Sequence, residues 1–238
     1  MRVSINRLTV FVAVLALAPM AFAQTADDVI AKNLQAKGGV DLLKQTTSVR
    51  TVATASTPNG EVTITSVSKR PNLMRNEISG AGQNLVIGFD GTTAWVAPQG
   101  RPAQAMPAGP QTEMLKQSQI DSPLLDYQAK GMKVELAGLE SEGERKLHHL
   151  VLTPKTGPRI HYFIDAATGL ESRMVMESDE GGQLERMEIR FSDFRTVEGR
   201  TVPFTTTQVV DGKEAGQLKF EKIEFNVPLD DSIFRMPK

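Results

Sequence analysis

Residues 183–225 read QLERMEIRFSDFRTVEGRTVPFTTTQVVDGKEAGQLKFEKIEF, a run built from long alternating segments separated by two-residue turns. In its first segment Met187, Ile189 and Phe191 alternate with Arg186, Glu188 and Arg190. A period of two puts the apolar set on one face of a strand and the charges on the other. Glu198-Gly199 and Asp211-Gly212 are hairpin turn signals, because glycine takes the positive φ that a tight turn demands. In the last segment Leu218 and Phe220 share one parity, while Ile223, Phe225 and Val227 share the other. A β-bulge near Glu221-Lys222, one extra residue on one strand, returns all five to a single face. The run therefore predicts a long, bent antiparallel sheet that is apolar on one side.

The same signature extends toward the N-terminus. Leu170, Met174 and Met176 alternate with Glu171, Arg173 and Glu177, and Asn59-Gly60, Asp90-Gly91, Thr168-Gly169 and Gly181-Gly182 add further turns. About eleven strands are predicted, near 47–57, 61–69, 73–79, 84–89, 92–97, 132–139, 146–153, 158–164, 170–179, 183–194 and 201–226, the last long enough to be a hairpin in itself. No period with shared residues recurs, which argues against a propeller or solenoid. Ahead of the strands, Thr25 is placed to N-cap a helix with Asp27 and Asp28 in its first turn and Gly38-Gly39 at its end. Val29, Ile30 and Leu34 give that helix one apolar face.

Residues 1–23 read as an export signal: Arg2 and Arg7, an apolar run Leu8–Ala18 too short to span a bilayer, then Ala21-Phe22-Ala23 before Gln24. Its removal leaves 24–238 as one expected domain, exported to the periplasm with no stable membrane anchor. The chain has 238 residues, 27 Lys and Arg against 28 Asp and Glu, and no cysteine. Near-neutral charge argues against nucleic acid as a partner. The lack of cysteine excludes disulfides, thiolate metal sites, cysteine nucleophiles and a lipid-modified N-terminal cysteine.

One segment departs from the strand pattern. Residues 97–131 hold Pro98, Pro102, Pro107, Pro110 and Pro123, with short helices predicted over 112–119 and over 121–130, the second capped by Asp121 and stopped by Gly131. Connections this long inside a compact domain are usually functional or disordered. Met106, Met114, Leu115, Leu124, Leu125 and Tyr127 make it a lid or plug for the apolar side of the sheet.

Catalytic motifs are missing: no G-x-S-x-G, H-E-x-x-H, Walker A or G-x-G-x-x-G is present. His148 and His149 are neighbours on one strand and point to opposite sides, while His161 lies on a strand that can approach one of them. No metal ligand set, cofactor site or enzymatic activity is expected. Eight of the ten methionines lie beyond residue 23, several at inward positions or in the lid. Methionine is flexible and polarisable and suits a surface that accepts varied apolar partners. An apolar cavity is expected, with Leu85, Ile87, Trp95, Met174, Met176, Met187, Ile189 and Phe191 as its lining.

Lys69-Arg70-Pro71-Asn72-Leu73 and Leu85–Trp95, reading LVIGFDGTTAW, followed by Leu150-Val151-Leu152-Thr153-Pro154-Lys155 and the strand and turn 160–169, resemble the LolA-type outer-membrane lipoprotein-sorting carriers. The likeness covers most of 47–194, and 191–234 is similar to the broader LolA/LolB-like superfamily. The departures are Leu73-Met74-Arg75-Asn76 where aromatics are usual and an F-D-G-T turn. The resemblance implies an incomplete barrel of about eleven strands under a helical lid. It further implies lipoprotein acyl chains or another lipid as cargo, an inner-membrane donor, an outer-membrane acceptor protein, and Arg70 as the residue that tethers the lid. An interaction or envelope-stress-sensing module on the same half-barrel is the alternative.

Overall fold

The computed structural model describes residues 24–57, 59–180 and 183–237; the export signal at 1–23 lies outside the described residues. In chain order the elements are α1 (Ala26–Ala36), α2 (Val40–Lys44), β1 (Ser48–Thr57), β2 (Gly60–Lys69), β3 (Leu73–Gly80), β4 (Gln83–Phe89), β5 (Ala94–Pro98), β6 (Gln104–Ala105), α3 (Ala108–Gln117), β7 (Lys133–Glu142), β8 (Arg145–Thr153), β9 (Arg159–Asp165), β10 (Glu171–Glu180), β11 (Gln183–Val197), β12 (Arg200–Val210), β13 (Lys213–Phe225) and a 3-10 turn at Asp231–Phe234. The strands form one antiparallel sheet in the order β6-β5-β4-β3-β2-β1-β13-β12-β11-β10-β9-β8-β7. β6 and β7 are its two edges, so the sheet is an incomplete barrel. Thirteen strands replace the expected eleven, because 201–226 counts as two and a two-residue strand forms inside the connection that follows β5.

Local chemistry sets these elements. Thr25 and Asp28 form a reciprocal capping box at α1, each side chain accepting from the other's backbone N–H. The turns at Glu198-Gly199 and Asp211-Gly212 have positive φ at both residues, 49° and 78° in the first and 49° and 75° in the second, the twist that joins neighbouring antiparallel strands directly. Between β1 and β13 the register slips at Val52/Ala53, leaving Glu221 unpaired. This bulge sets Ile223 and Phe225 opposite Thr51 and Val49, on the same face as Leu218 and Phe220.

Val29, Ile30 and Leu34 of α1, with Leu124 and Leu125, pack on Leu150 and Leu152 of β8 and Tyr162 and Ile164 of β9. Far along the sheet, Met106 and Met114 of the β5–β7 connection pack on Met74, Phe89 and Ala94. Cross-strand partners in an antiparallel sheet share a face, and following the registers strand by strand puts both clusters on one face, here termed inner. The helix expected over 121–130 is instead a series of turns. Asp126 has a φ of 53°, which interrupts a right-handed helix, and the Asp121 carboxylate is engaged elsewhere rather than capping. α3 begins at Ala108 instead of Thr112, with Pro110 in its first turn, where a missing N–H costs no helical bond.

Candidate functional site

One apolar row crosses the middle of the inner face. Leu85 lies opposite Ile78, Ile78 opposite Ile64, Ile64 opposite Ala53, and Ala53 opposite Phe220. The row continues from Leu218 through Thr206 to Phe191, then to the pairs Ile189–Met174 and Met187–Met176. Ile87 joins it on β4, opposite Asn76. Apart from Ala53, which is buried, these side chains are half-buried, because the two packed clusters lie at the ends of the sheet and leave its centre thinly covered. The outer face of the same strands carries Arg50, Glu77, Arg186, Glu188 and Lys222, their parity being opposite.

Both end covers involve the connection between β5 and β7. At the β3–β5 end it contributes Met106 and Met114. At the β7–β10 end it contributes Leu124, Leu125 and Tyr127, and the Tyr127 hydroxyl donates to Asp27 of α1 at 2.7 Å. Fully burying a leucine side chain is worth about 1.5–3 kcal/mol, so Leu124 and Leu125, 0% and 3% exposed, are the main anchors of this stretch. Leu115 of α3 is exposed and joins neither cover.

Arg70 is the polar fastening. Its guanidinium donates from both terminal nitrogens to the Asp121 carboxylate at 2.5 and 2.6 Å, and from Nε to the Thr46 carbonyl at 2.5 Å. One side chain thus joins the connection to the chain between α2 and β1. The planar fork of arginine matches a carboxylate through two parallel bonds, and the Asp121 contact holds Arg70 charged by raising its pKa above the usual arginine value. Lys130, whose ammonium donates to the Ser122 carbonyl at 3.1 Å, is pulled below the usual lysine value chiefly by burial. Arg200 braces the other side of the same stretch, donating to the Thr46 hydroxyl and the Leu42 carbonyl at 2.9 and 3.1 Å.

Trp95 does not line this surface. Ala94 and Val96 take the inner side of β5, so Trp95 points outward, opposite Gly88, where an added Cβ would lie 2.2 Å from the indole. Its Nε1 donates to the Phe234 carbonyl at 2.8 Å, and both rings are fully buried. The C-terminal stretch is held over the outer face by Lys69, which donates to the Leu229 carbonyl, and by Arg75, which donates to the Ile233 carbonyl. A cavity of about 380 Å³ remains beneath it, lined by Arg50, Val67, Arg75 and Ile233 among others.

Ile64, Ile78, Leu218 and Phe220 complete the inner row and were absent from the expected lining. Their signal was alternation in β2, β3 and β13, which becomes a shared surface only once strand order is known. Among the described residues no cluster of three or more His, Asp or Glu side chains is arranged to hold a metal ion.

No family model matches the chain, and no curated protein matches it. Solved structures do. A LolA superfamily protein from Nitrosomonas europaea superposes with a TM-score of 0.61 at 14% identity, over 90% of this chain and 98% of that one. An outer membrane lipoprotein-sorting protein domain from Vibrio parahaemolyticus gives 0.57 at 10% identity, over 87% and 94%. The fold is LolA-like. A DUF1329 family protein from Desulfovibrio piger shares it, with a TM-score of 0.62 at 13% identity over 88% of this chain and 96% of that one. The LolA-like half-barrel thus persists at identities where few side chains coincide, and the surface this chain presents must be argued from its own residues.

Proposed function

We propose that the protein is a periplasmic carrier that binds the acyl chains of lipoproteins, or a related lipid, along the inner face and hands them on toward the outer membrane. The observation that carries this reading is the half-covered apolar row from Leu85 to Met176, flanked by two covers to which a single connection contributes. The likeness in fold to the lipoprotein-sorting protein domain from Vibrio parahaemolyticus supports the same direction. Among the described residues no helix is long and apolar enough to cross a membrane. The signal-like residues 1–23 fit delivery to the periplasm.

The energetics set what such a site must do. Transfer of an acyl chain from water is worth about 0.8 kcal/mol per CH₂, so roughly 15 methylenes amount to about 12 kcal/mol gross. A closely packed pocket would retain that chain, whereas Met174, Met176 and Met187 give an adaptable surface from which it can be passed on. In this reading the stretch around Asp121 is the lid, Arg70 fastens it, and arriving cargo displaces it from the β7–β10 end of the inner face. Binding and release require no bond-making step, so the proposal is a binding protein and not an enzyme.

Native mass spectrometry of protein taken from the periplasm without detergent tests this directly. A stoichiometric lipid or lipopeptide is expected, and Ile189→Asp, which puts a carboxylate in the row, is expected to abolish it while leaving the protein folded. An apo mass together with no uptake of an offered triacylated lipopeptide refutes the carrier.

A further inference from the structure

The outer face of β7–β10 lies behind the surface on which Leu124 and Leu125 rest, and it holds a chain of two imidazoles between two carboxylates. His149 Nε2 is 2.8 Å from His161 Nδ1. At one end His149 Nδ1 is 3.0 Å from a Glu140 oxygen, and at the other His161 Nε2 is 3.1 Å from a Glu177 oxygen. The two imidazoles are 18% and 14% exposed and the Glu177 side chain 7%, so water is largely excluded. His149 is stacked on Phe163 with ring centroids 4.4 Å apart, which fixes its plane.

Proton counting shows what this chain requires. It has three gaps, and each needs one N–H, because an ionised carboxylate only accepts. Two neutral imidazoles supply two. With His149 Nδ1–H directed at Glu140 and His161 Nδ1–H at His149, the remaining His161 Nε2 presents a lone pair to the Glu177 carboxylate. In the structure that nitrogen is buried and has no hydrogen-bond partner. Other tautomers only move the defect to another gap. We infer that Glu140, His149, His161 and Glu177 form a proton-binding site, in which the two rings together hold three protons and one positive charge, stitching β7, β8, β9 and β10 across the outer face.

Charged side chains surround it. Facing the chain are Glu140 and Glu142 from β7, Arg145 from β8, Arg159 from β9, Arg173 and Glu177 from β10, and Arg186 from β11. Each of the three carboxylates is within ion-pair reach of at least one of the four guanidiniums. Burial pulls the His149 imidazole below its ordinary value, and the more buried of the two end carboxylates, Glu177, lies beside His161. Although burial pushes the Glu177 carboxyl up, the Arg186 hydrogen bond and the charge of His161 hold it below the usual range. Loss of the proton would set a lone pair against a carboxylate directly behind the seat of Leu124 and Leu125, which makes that seat sensitive to protonation.

An amide in place of either end carboxylate can donate an N–H and close the chain with two neutral rings. Glu177→Gln and Glu140→Gln are therefore both expected to remove the extra proton, and Glu140, which is 45% exposed, is the change that the fold tolerates more readily. Nitrogen-15 NMR of the histidine side chains reads the state of each ring. In the unaltered protein near pH 6.5, the ordinary imidazole value, one ring charge shared by His149 and His161 is expected, with His149 protonated at Nδ1. In either Gln variant the midpoint of the shared titration is expected to fall by at least about one pH unit, a tenfold loss of proton affinity. Two neutral rings in the unaltered protein at that pH, or a midpoint unmoved in a folded Glu140→Gln variant, overturns the inference.

Discussion

Arg70→Ala removes the fastening between the β5–β7 connection, the proposed lid, and the body of the sheet, and its size follows from the geometry. Two charge-assisted hydrogen bonds, at 2.5 and 2.6 Å, join Arg70 to Asp121. The two side chains are 33% and 24% exposed. Fully exposed ion pairs are worth about 0.2–1 kcal/mol, and hydrogen bonds to charged groups about 1.5–3 kcal/mol. Partial exposure and screening place this pair at about 1–2 kcal/mol, a factor of roughly 5–30 in an equilibrium. Leu124 and Leu125 contribute more than that, so the substitution loosens the lid and does not detach it. Hydrogen exchange of the amides of residues 121–132 is expected to accelerate by that factor, and uptake of a fluorescent long-chain fatty acid to quicken with it. Asp121→Asn spares the Arg70 contact to the Thr46 carbonyl and isolates the lid bond. If both variants leave exchange within about twofold of the unaltered protein and uptake unchanged, the latch does not govern access.

Two further outcomes follow from other parts of the structure. Phe234→Ala empties a fully buried side chain at the residue whose carbonyl accepts from the indole of Trp95; a cost of about 3–5 kcal/mol in denaturant unfolding is expected, with tryptophan emission shifted to the red. Unshifted emission would mean that Trp95 is not sealed by the C-terminal stretch. Asp28 is held below the usual aspartate value by the Thr25 backbone N–H and hydroxyl. Its support of α1 is therefore complete above the ordinary aspartate value and lost as pH falls through the depressed one; exchange protection at the start of α1 should drop with acid, and Asp28→Asn should flatten that dependence.

Sequence patterning revealed the sheet more fully than the site. The parity change between Phe220 and Ile223 was enough to place a bulge at Glu221, because apolar side chains must return to one face. Glycine turns marked most hairpins for a similar reason. Asp121 was misread because an aspartate two residues before Pro123 has the local signature of a helix cap, and nothing nearby reveals a guanidinium 51 residues away in sequence. Trp95 belongs to the expected lining but points outward. Parity with Ala94 and Val96, and the bare glycine opposite it, fix the outward direction, but that pairing exists only once β4 and β5 are in register. The inner row was incomplete for the same cause: Ile64 and Phe220 become neighbours through strand order, which no local pattern contains.

The connection between β5 and β7 leaves one edge of the sheet and rejoins the chain at the other. Thirteen strands spaced by about 4.8 Å make an arc of roughly 58 Å, and this stretch runs between its ends like the string of a bow. Twenty-seven residues, 106–132, are enough to span it at about 3.3 Å each with slack. The slack is taken up by α3 at one end and by the turns around Leu124 at the other. Winding and unwinding that stretch would therefore set how wide the arc can spring, so the length of the string bounds how far the two edges can part.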